Sequence, residues 1–155
     1  ANLSFHKNHR NLIEAMIILS KENIFPRLLL TLNKDEINKI NLNYYIDKHN
    51  LKITSKHYDR NKIDDAYSVS DCLIYPSFNE TLGLPLLEAK KYNLNIVASE
   101  LDFVRDSIIP NQSFDPQSPL SIARAIKRYL NLEKNFIEKS KFLDKDMFFE
   151  YLEKS

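Results

Sequence analysis

The chain has 155 residues, 43% apolar and 28% charged, which fits a folded domain with a core of its own and excludes a disordered chain. Its 22 basic and 21 acidic residues leave a net charge of +1, so no general attraction to nucleic acid or anionic membrane is expected. A single glycine rules out G-x-G-x-x-G and P-loop phosphate motifs, and a single cysteine rules out an internal disulfide.

Residues 1–5 read as the tail of a strand. Leu12, Ile13, Ala15, Met16, Ile17 and Leu19 then recur at helical spacing as far as Lys21, with Asn8 or Asn11 as the cap. Residues 27–32, RLLLTL, form a buried strand, and 35–49 form an amphipathic helix. A third short strand covers 51–54, and the loop Ser55-Lys56-His57-Tyr58 follows it. Residues 61–70 are a short helix with Ile63, Ala66 and Tyr67 on one side. The apolar run DCLIY, 71–75, is expected at the centre of a parallel sheet. Cys72 within it is expected to be a small core residue rather than a nucleophile.

After that strand comes a polar loop, residues 76–81, and then Gly83. Pro85 stands near the first position of a helix, where a missing N–H costs nothing, and Leu86, Leu87 and Ala89 give the helix an apolar side. Another strand, 95–98, completes a βαβ unit. The loop of such a unit lies at the carboxyl edge of the sheet, where open α/β folds bind ligands. Glu80 and Glu88 flank the N–H groups of the helix start, which attract anions. Anion-attracting backbone beside hydroxyl-accepting carboxylates suits a sugar nucleotide. Ser118 and Pro119 cap a later helix with Leu120, Ala123, Ile126 and Leu130 as its stripe, and 133–153 read as charged terminal helices. With so few glycines, turns are expected to rely on Asn and Asp.

ETLGLPLLEA at 80–89, followed by NIVAS, resembles the E-x7-E signature of retaining glycosyltransferases of the GT-B fold, family four, the "group 1" glycosyltransferases. Thr81 and Leu82 replace the Gly and Phe usual there, and Tyr92, Asn93 and Asn95 stand where Cys, Gly and Pro are frequent. HKNHRNLIEA at 6–15 and the runs ELDFVRD and SFDP resemble further segments of the same family, so the likeness extends from Phe5 to about Leu130. It implies a Rossmann-like three-layer α/β/α domain with a parallel sheet, the donor-binding C-terminal half of a GT-B enzyme, with all 155 residues in one domain.

The resemblance also implies site roles. Lys7 contacts the donor diphosphate; the residue-level alternative is a solvated lysine. The family often has an arginine a few residues before this lysine, and none precedes Lys7 here. Glu80 is the catalytic-site carboxylate that meets the transferred sugar. Thr81, Leu82, Gly83 and Leu84 present donor-binding backbone, and Glu88 takes the ribose hydroxyls. His57 or Tyr58 stacks on the nucleobase, or else packs within its loop. The donor is a nucleotide diphosphate sugar, UDP-linked or similar. The acceptor is a sugar or a lipid-linked sugar, as in polysaccharide biosynthesis. A further partner is the N-terminal GT-B domain, without which the chain is expected to be inactive. No cofactor, metal or nucleic acid is expected. The expected place is the cytoplasm, with a peripheral position at the membrane face through the N-terminal domain.

Competing readings remain at this level. A GT-B-like sugar-nucleotide epimerase or hydrolase would need acids and bases that the sequence does not locate. A non-catalytic nucleotide-sugar-binding module would accommodate the missing arginine. Glu80 and Glu88 as a glycosidase pair lack a recognisable carbohydrate cleft. Asp144 and Asp146 spell D-x-D but read as a solvated helix, and the four histidines and Cys72 lack zinc-ligand spacing.

Overall fold

The computed structural model describes residues 3–59 and 62–132. The expected helices at 133–153, with Asp144 and Asp146, lie outside the described residues.

The elements alternate. Helix α1 (His9–Lys21) is followed by β1 (Leu28–Leu30), α2 (Lys34–Lys39), α3 (Leu42–His49), β2 (Ile53–Ser55) and α4 (Ile63–Ser68). Strand β3 (Cys72–Tyr75), α5 (Leu84–Lys91), β4 (Asn95–Ser99), α6 (Asp102–Arg105), β5 (Gln112–Phe114) and α7 (Pro119–Tyr129) complete the series. Every strand pairing is parallel: Leu28 opposite Ile53, Cys72 opposite Asn95, Val97 opposite Gln112.

Strand β4 shows why the domain has three layers. Successive side chains of a strand point to opposite faces. Ile96 and Ala98 join a core with Tyr67, Leu86, Ala89 and Val104, drawn from α4, α5 and α6. Val97 joins the other core, with the buried faces of α1 and α7. Helix α7 is capped as its sequence predicts, Ser118 Oγ accepting from the Ser121 N–H at 3.1 Å with Pro119 next in line. Its buried stripe is Ile122, Ala123, Ala125 and Ile126, while Leu120 and Leu130 face outward, so the apolar face is rotated from the expected one.

Three expectations need correction. Among the described residues the sheet is not continuous: β1 pairs only with β2, and β3 is the outer strand of β3-β4-β5 rather than a central one. The facing edges of β1 and β3 line a shared cavity of about 1510 Å³ instead of bonding to each other. The described residues of the expected strand at 1–5 are not in a strand. Phe5–Lys7 is a 3₁₀ turn in which the Lys7 N–H donates to Ser4 O at 2.9 Å. The expected helix at 35–49 is two helices. Asn33 and Glu36 form a reciprocal capping box at the first, and Asn41, at φ 50°, breaks the chain before the second. Strand β5 and helix α6 are not among the expected elements, because both are too short to show a period in the sequence.

The expectation about turns holds at the left-handed positions. Besides Gly83, every described residue with positive φ is an asparagine: Asn8, Asn23, Asn41, Asn50, Asn93 and Asn131. Asparagine tolerates this region better than other residues with a side chain.

Candidate functional site

The carboxyl edge of β3 is where separated stretches of sequence converge. Asn8 adopts a left-handed conformation, φ 58°, at the start of α1, but its amide does not cap the helix as expected. It is buried, and its Nδ2 donates to Pro76 O at 2.9 Å and Pro116 O at 2.7 Å. Asn11 Nδ2 adds a bond to Pro116 O at 2.9 Å. The Phe78 N–H donates to His6 O at 2.8 Å, and the Phe5 ring stacks on Phe78 with centroids 5.5 Å apart. These contacts fasten the 5–8 turn onto the loop that follows β3.

The result is an ion pair between residues 73 positions apart, Lys7 Nζ with Glu80 Oε1. Ser77 Oγ donates to the same oxygen at 3.2 Å, and His6 Nε2 stands 3.8 Å from it. Ser77 is itself held, because buried Ser99 donates from Oγ to Ser77 O at 2.9 Å. Burial pushes the Glu80 carboxyl up, but the hydrogen bond and charge of Lys7, then Ser77 and His6, outweigh it and hold the carboxyl below its ordinary value. Glu80 is therefore a carboxylate at neutral pH.

Gly83 precedes α5 with φ 55°. A Cβ built there would meet Leu86 Cδ1 at 3.0 Å and Ser107 Oγ at 3.5 Å, so both conformation and space favour glycine. No side chain caps α5. The helix start thus keeps the partial positive charge of its backbone dipoles toward the cavity mouth, which Thr81, Leu82, Gly83 and Leu84 line. Thr81, Leu82 and Leu84 are exposed, while Gly83 is buried.

Glu88 lies one turn further into α5, half-buried, and also lines the cavity. Tyr67 Oη donates to Glu88 Oε2 at 2.8 Å. The Tyr75 hydroxyl, buried at the end of β3, has no partner at ordinary hydrogen-bond distance among the described residues, with Ser77 and Glu80 close by. Burial, then the negative charge of Glu80, push its phenol up. Two phenols and two carboxylates thus meet at one rim.

The nucleobase candidates separate. Tyr58 lines the cavity, with Lys56 Nζ 4.9 Å above its ring, whereas His57 is exposed and lines none of it. Cys72 is half-buried, and burial pushes its thiol up to about 11, the state of an inert core residue rather than a nucleophile. Among the described residues no three His, Cys, Asp or Glu side chains gather to hold a metal ion, and no helix is long and apolar enough to cross a membrane. The sequence reading missed His6, Tyr67, Tyr75, Ser77 and the tethering by Asn8. Adjacency to Lys7 and Glu80 pointed to His6 and Ser77, but only the fold brings the tyrosines in.

The family model for glycosyl transferases group 1 matches residues 1–143. The chain belongs to this family. No curated protein sequence matches this glycosyltransferase chain. Solved structures do. The C-terminal domain of the group 1 glycosyl transferase LpcC of Francisella tularensis is 22% identical, with TM-score 0.68 and 84% of this chain and 72% of that one covered. A Rickettsia africae glycosyltransferase is 18% identical, TM-score 0.67, with 85% and 36% covered. Anabaena HepE, whose structure is a complex with UDP and glucose, is 17% identical, TM-score 0.65, with 84% and 37% covered. The fold is that of the C-terminal half of a GT-B glycosyltransferase. This chain spans about a third of the length of the Rickettsia and Anabaena proteins.

Proposed function

We propose that this glycosyltransferase domain binds a nucleoside diphosphate sugar, and that the enzyme it belongs to transfers the sugar with retention of anomeric configuration. The observation that carries the reading is the Lys7–Glu80 pair beside the uncapped start of α5, with Glu88 one turn along the helix. A diphosphate fits between Lys7 and the helix start, where cation and dipole attract the same anion. The ribose then falls to Glu88, whose carboxylate accepts two hydroxyls, and Tyr58, which lines the same cavity, is left for the base. The sugar falls to Glu80. The complex of HepE with UDP and glucose supports this choice of donor.

In the reaction the bond from the anomeric carbon to the β-phosphate oxygen breaks. A bond to an acceptor hydroxyl oxygen forms on the same face, and the acceptor's proton passes to the departing phosphate oxygen. Negative charge grows on the departing phosphate. Lys7 and the backbone dipoles of α5 stabilise it there, an electrostatic contribution present before the reaction begins. Glu80 accepts a hydrogen bond from a sugar hydroxyl and fixes the ring. The acceptor, a sugar or lipid-linked sugar, is held by a separate N-terminal domain of a cytoplasmic enzyme, so this chain alone binds donor and does not turn it over.

Calorimetric titration with UDP and UMP, and with GDP and GMP, tests the reading. Charge-assisted contacts to the second phosphate contribute about 1.5–3 kcal/mol, so the diphosphate binds tenfold or more tightly. Lys7→Ala removes most of that difference. Equal affinity for mono- and diphosphate in the unsubstituted protein overturns the diphosphate site.

A further inference from the structure

The hydrogen bond from Tyr67 to Glu88 joins two helices, yet its surroundings are more specific than a tether requires. Tyr67 comes from α4, and its ring is 9% exposed and stacked on Tyr92, centroids 5.6 Å apart and planes 17° from parallel. The ring also packs into the core of Leu86 and Ala89, on the same helix as Glu88. Its hydroxyl is thereby aimed at one oxygen, Glu88 Oε2, at 2.8 Å. Both residues line the mouth of the cavity.

We propose that Tyr67 is a positioning residue that determines specificity for ribose over deoxyribose. It engages Oε2 from the protein side and leaves Oε1 of Glu88 aimed at a vicinal diol of the ligand. The inference rests on the reading of Glu88 as the ribose-binding carboxylate.

The physical argument has three parts. A glutamate on a helix has three side-chain torsions, and a carboxylate free to rotate loses that freedom on binding. A phenol fixed by stacking and burial removes the freedom beforehand. Second, a carboxylate has about four acceptor positions, so one bond to Tyr67 leaves room for two ligand hydroxyls. Third, Tyr67 remains a donor at any working pH, because burial, then its bond to Glu88, push the phenol far up. The Tyr75 hydroxyl lies in the field of Glu88 as well, but the hydrogen bond to Glu88 comes from Tyr67.

The test uses the whole chain and four proteins: unsubstituted, Tyr67→Phe, Glu88→Gln and Tyr92→Phe. Each is checked by thermal melting, then titrated with UDP and 2′-deoxy-UDP, or with GDP and its 2′-deoxy form if the guanine nucleotide binds more tightly. Unsubstituted protein prefers the ribonucleotide by about ten- to hundredfold, the range for a hydrogen bond to a charged group. Tyr67→Phe keeps the ring and its stacking. It lowers ribonucleotide affinity several-fold, weakens the deoxynucleotide less because only its 3′-hydroxyl remains to meet Glu88, and brings the preference toward unity. Tyr92→Phe leaves the preference as it was. If Tyr67→Phe weakens both ligands equally or neither, while Glu88→Gln abolishes the preference, Tyr67 is only a tether and the inference is overturned. If Glu88→Gln leaves the preference intact, Glu88 does not meet the ribose, and the underlying reading fails instead. Should Tyr67→Phe melt below working temperature, the Tyr67→Trp variant takes its place, filling the stack without a hydroxyl at that reach. A preserved preference there likewise overturns the proposal.

Discussion

Glu80 carries two relationships that pull in opposite directions. Its Oε1 pairs with Lys7, the cation proposed to meet the phosphate. A diphosphate arriving at Lys7 therefore competes with a carboxylate already there, and meets that carboxylate's negative charge. Read from the sequence alone, Glu80→Ala would leave nucleoside diphosphate binding nearly intact. The geometry revises this. Glu80→Ala releases Lys7, so plain UDP or GDP binds several-fold more tightly, by about 1 kcal/mol for a partly exposed pair. The matching nucleotide sugar, deprived of its carboxylate contact, gains nothing or binds more weakly. Paired titrations with nucleotide and nucleotide sugar check both halves; a loss for both ligands would mean that Glu80 only supports the loop. At this scale much was legible in sequence, because Lys7, Glu80, Gly83 and Glu88 sit in local motifs. Tyr67 and Tyr75 were not, since an apolar aromatic in a strand or helix looks the same whether its hydroxyl faces a site or a core.

At the scale of elements, the turn into α5 is constrained in two ways at once. Gly83 combines a left-handed backbone with a Cβ position only 3.0 Å from Leu86. Gly83→Val would force both the conformation and the packing of Leu86, which is fully buried. The strain is of the order of 1–3 kcal/mol, and the helix start moves to relieve it. The expected outcome is a lower melting temperature together with loss of the diphosphate-over-monophosphate preference. A variant that melts and binds like the original would place the phosphate elsewhere. Elements were legible where their signal was long or chemically marked, as in α1, α5 and the cap of α7. The division of 35–49 into α2 and α3 was not legible, because the apolar period runs through Ile40 and Asn41 without interruption. The break rests on the tolerance of asparagine for positive φ, a property that the pattern of apolar residues does not record. The 3₁₀ turn at Phe5–Lys7 was hidden for a related reason: its side chains and carbonyls meet Phe78 and Glu80, the latter 73 positions from Lys7.

For the whole molecule, alternation of strands and helices correctly announced parallel pairing and two helical layers, since parallel strands need crossover connections. It did not announce that β1-β2 and β3-β4-β5 would be separate sheets, because strand order depends on which edges meet, and local patterns do not encode that. The separation has a consequence that hydrogen exchange can read. In β1, the Leu28 N–H donates to Lys52 O and Leu30 O accepts from the Lys56 N–H, both toward β2. Alternation along the strand turns the Leu29 amide the other way, toward the cavity shared with β3. Deuterium should therefore enter β1 in an alternating pattern, quickly at Leu29 and slowly at Leu28 and Leu30. Strand β4, bonded on both sides and buried from Ile96 to Ser99, should exchange only when the domain opens as a unit. Uniform slow exchange along β1 would contradict the separation of the sheets. The domain then has two grades of persistence, a lasting frame around β4 and a β1-β2 pair that opens more readily. Gly83, Glu88 and Glu80 belong to the lasting frame, while Tyr58 follows the pair that opens, so the two ends of a bound nucleotide would rest on parts of unequal lifetime.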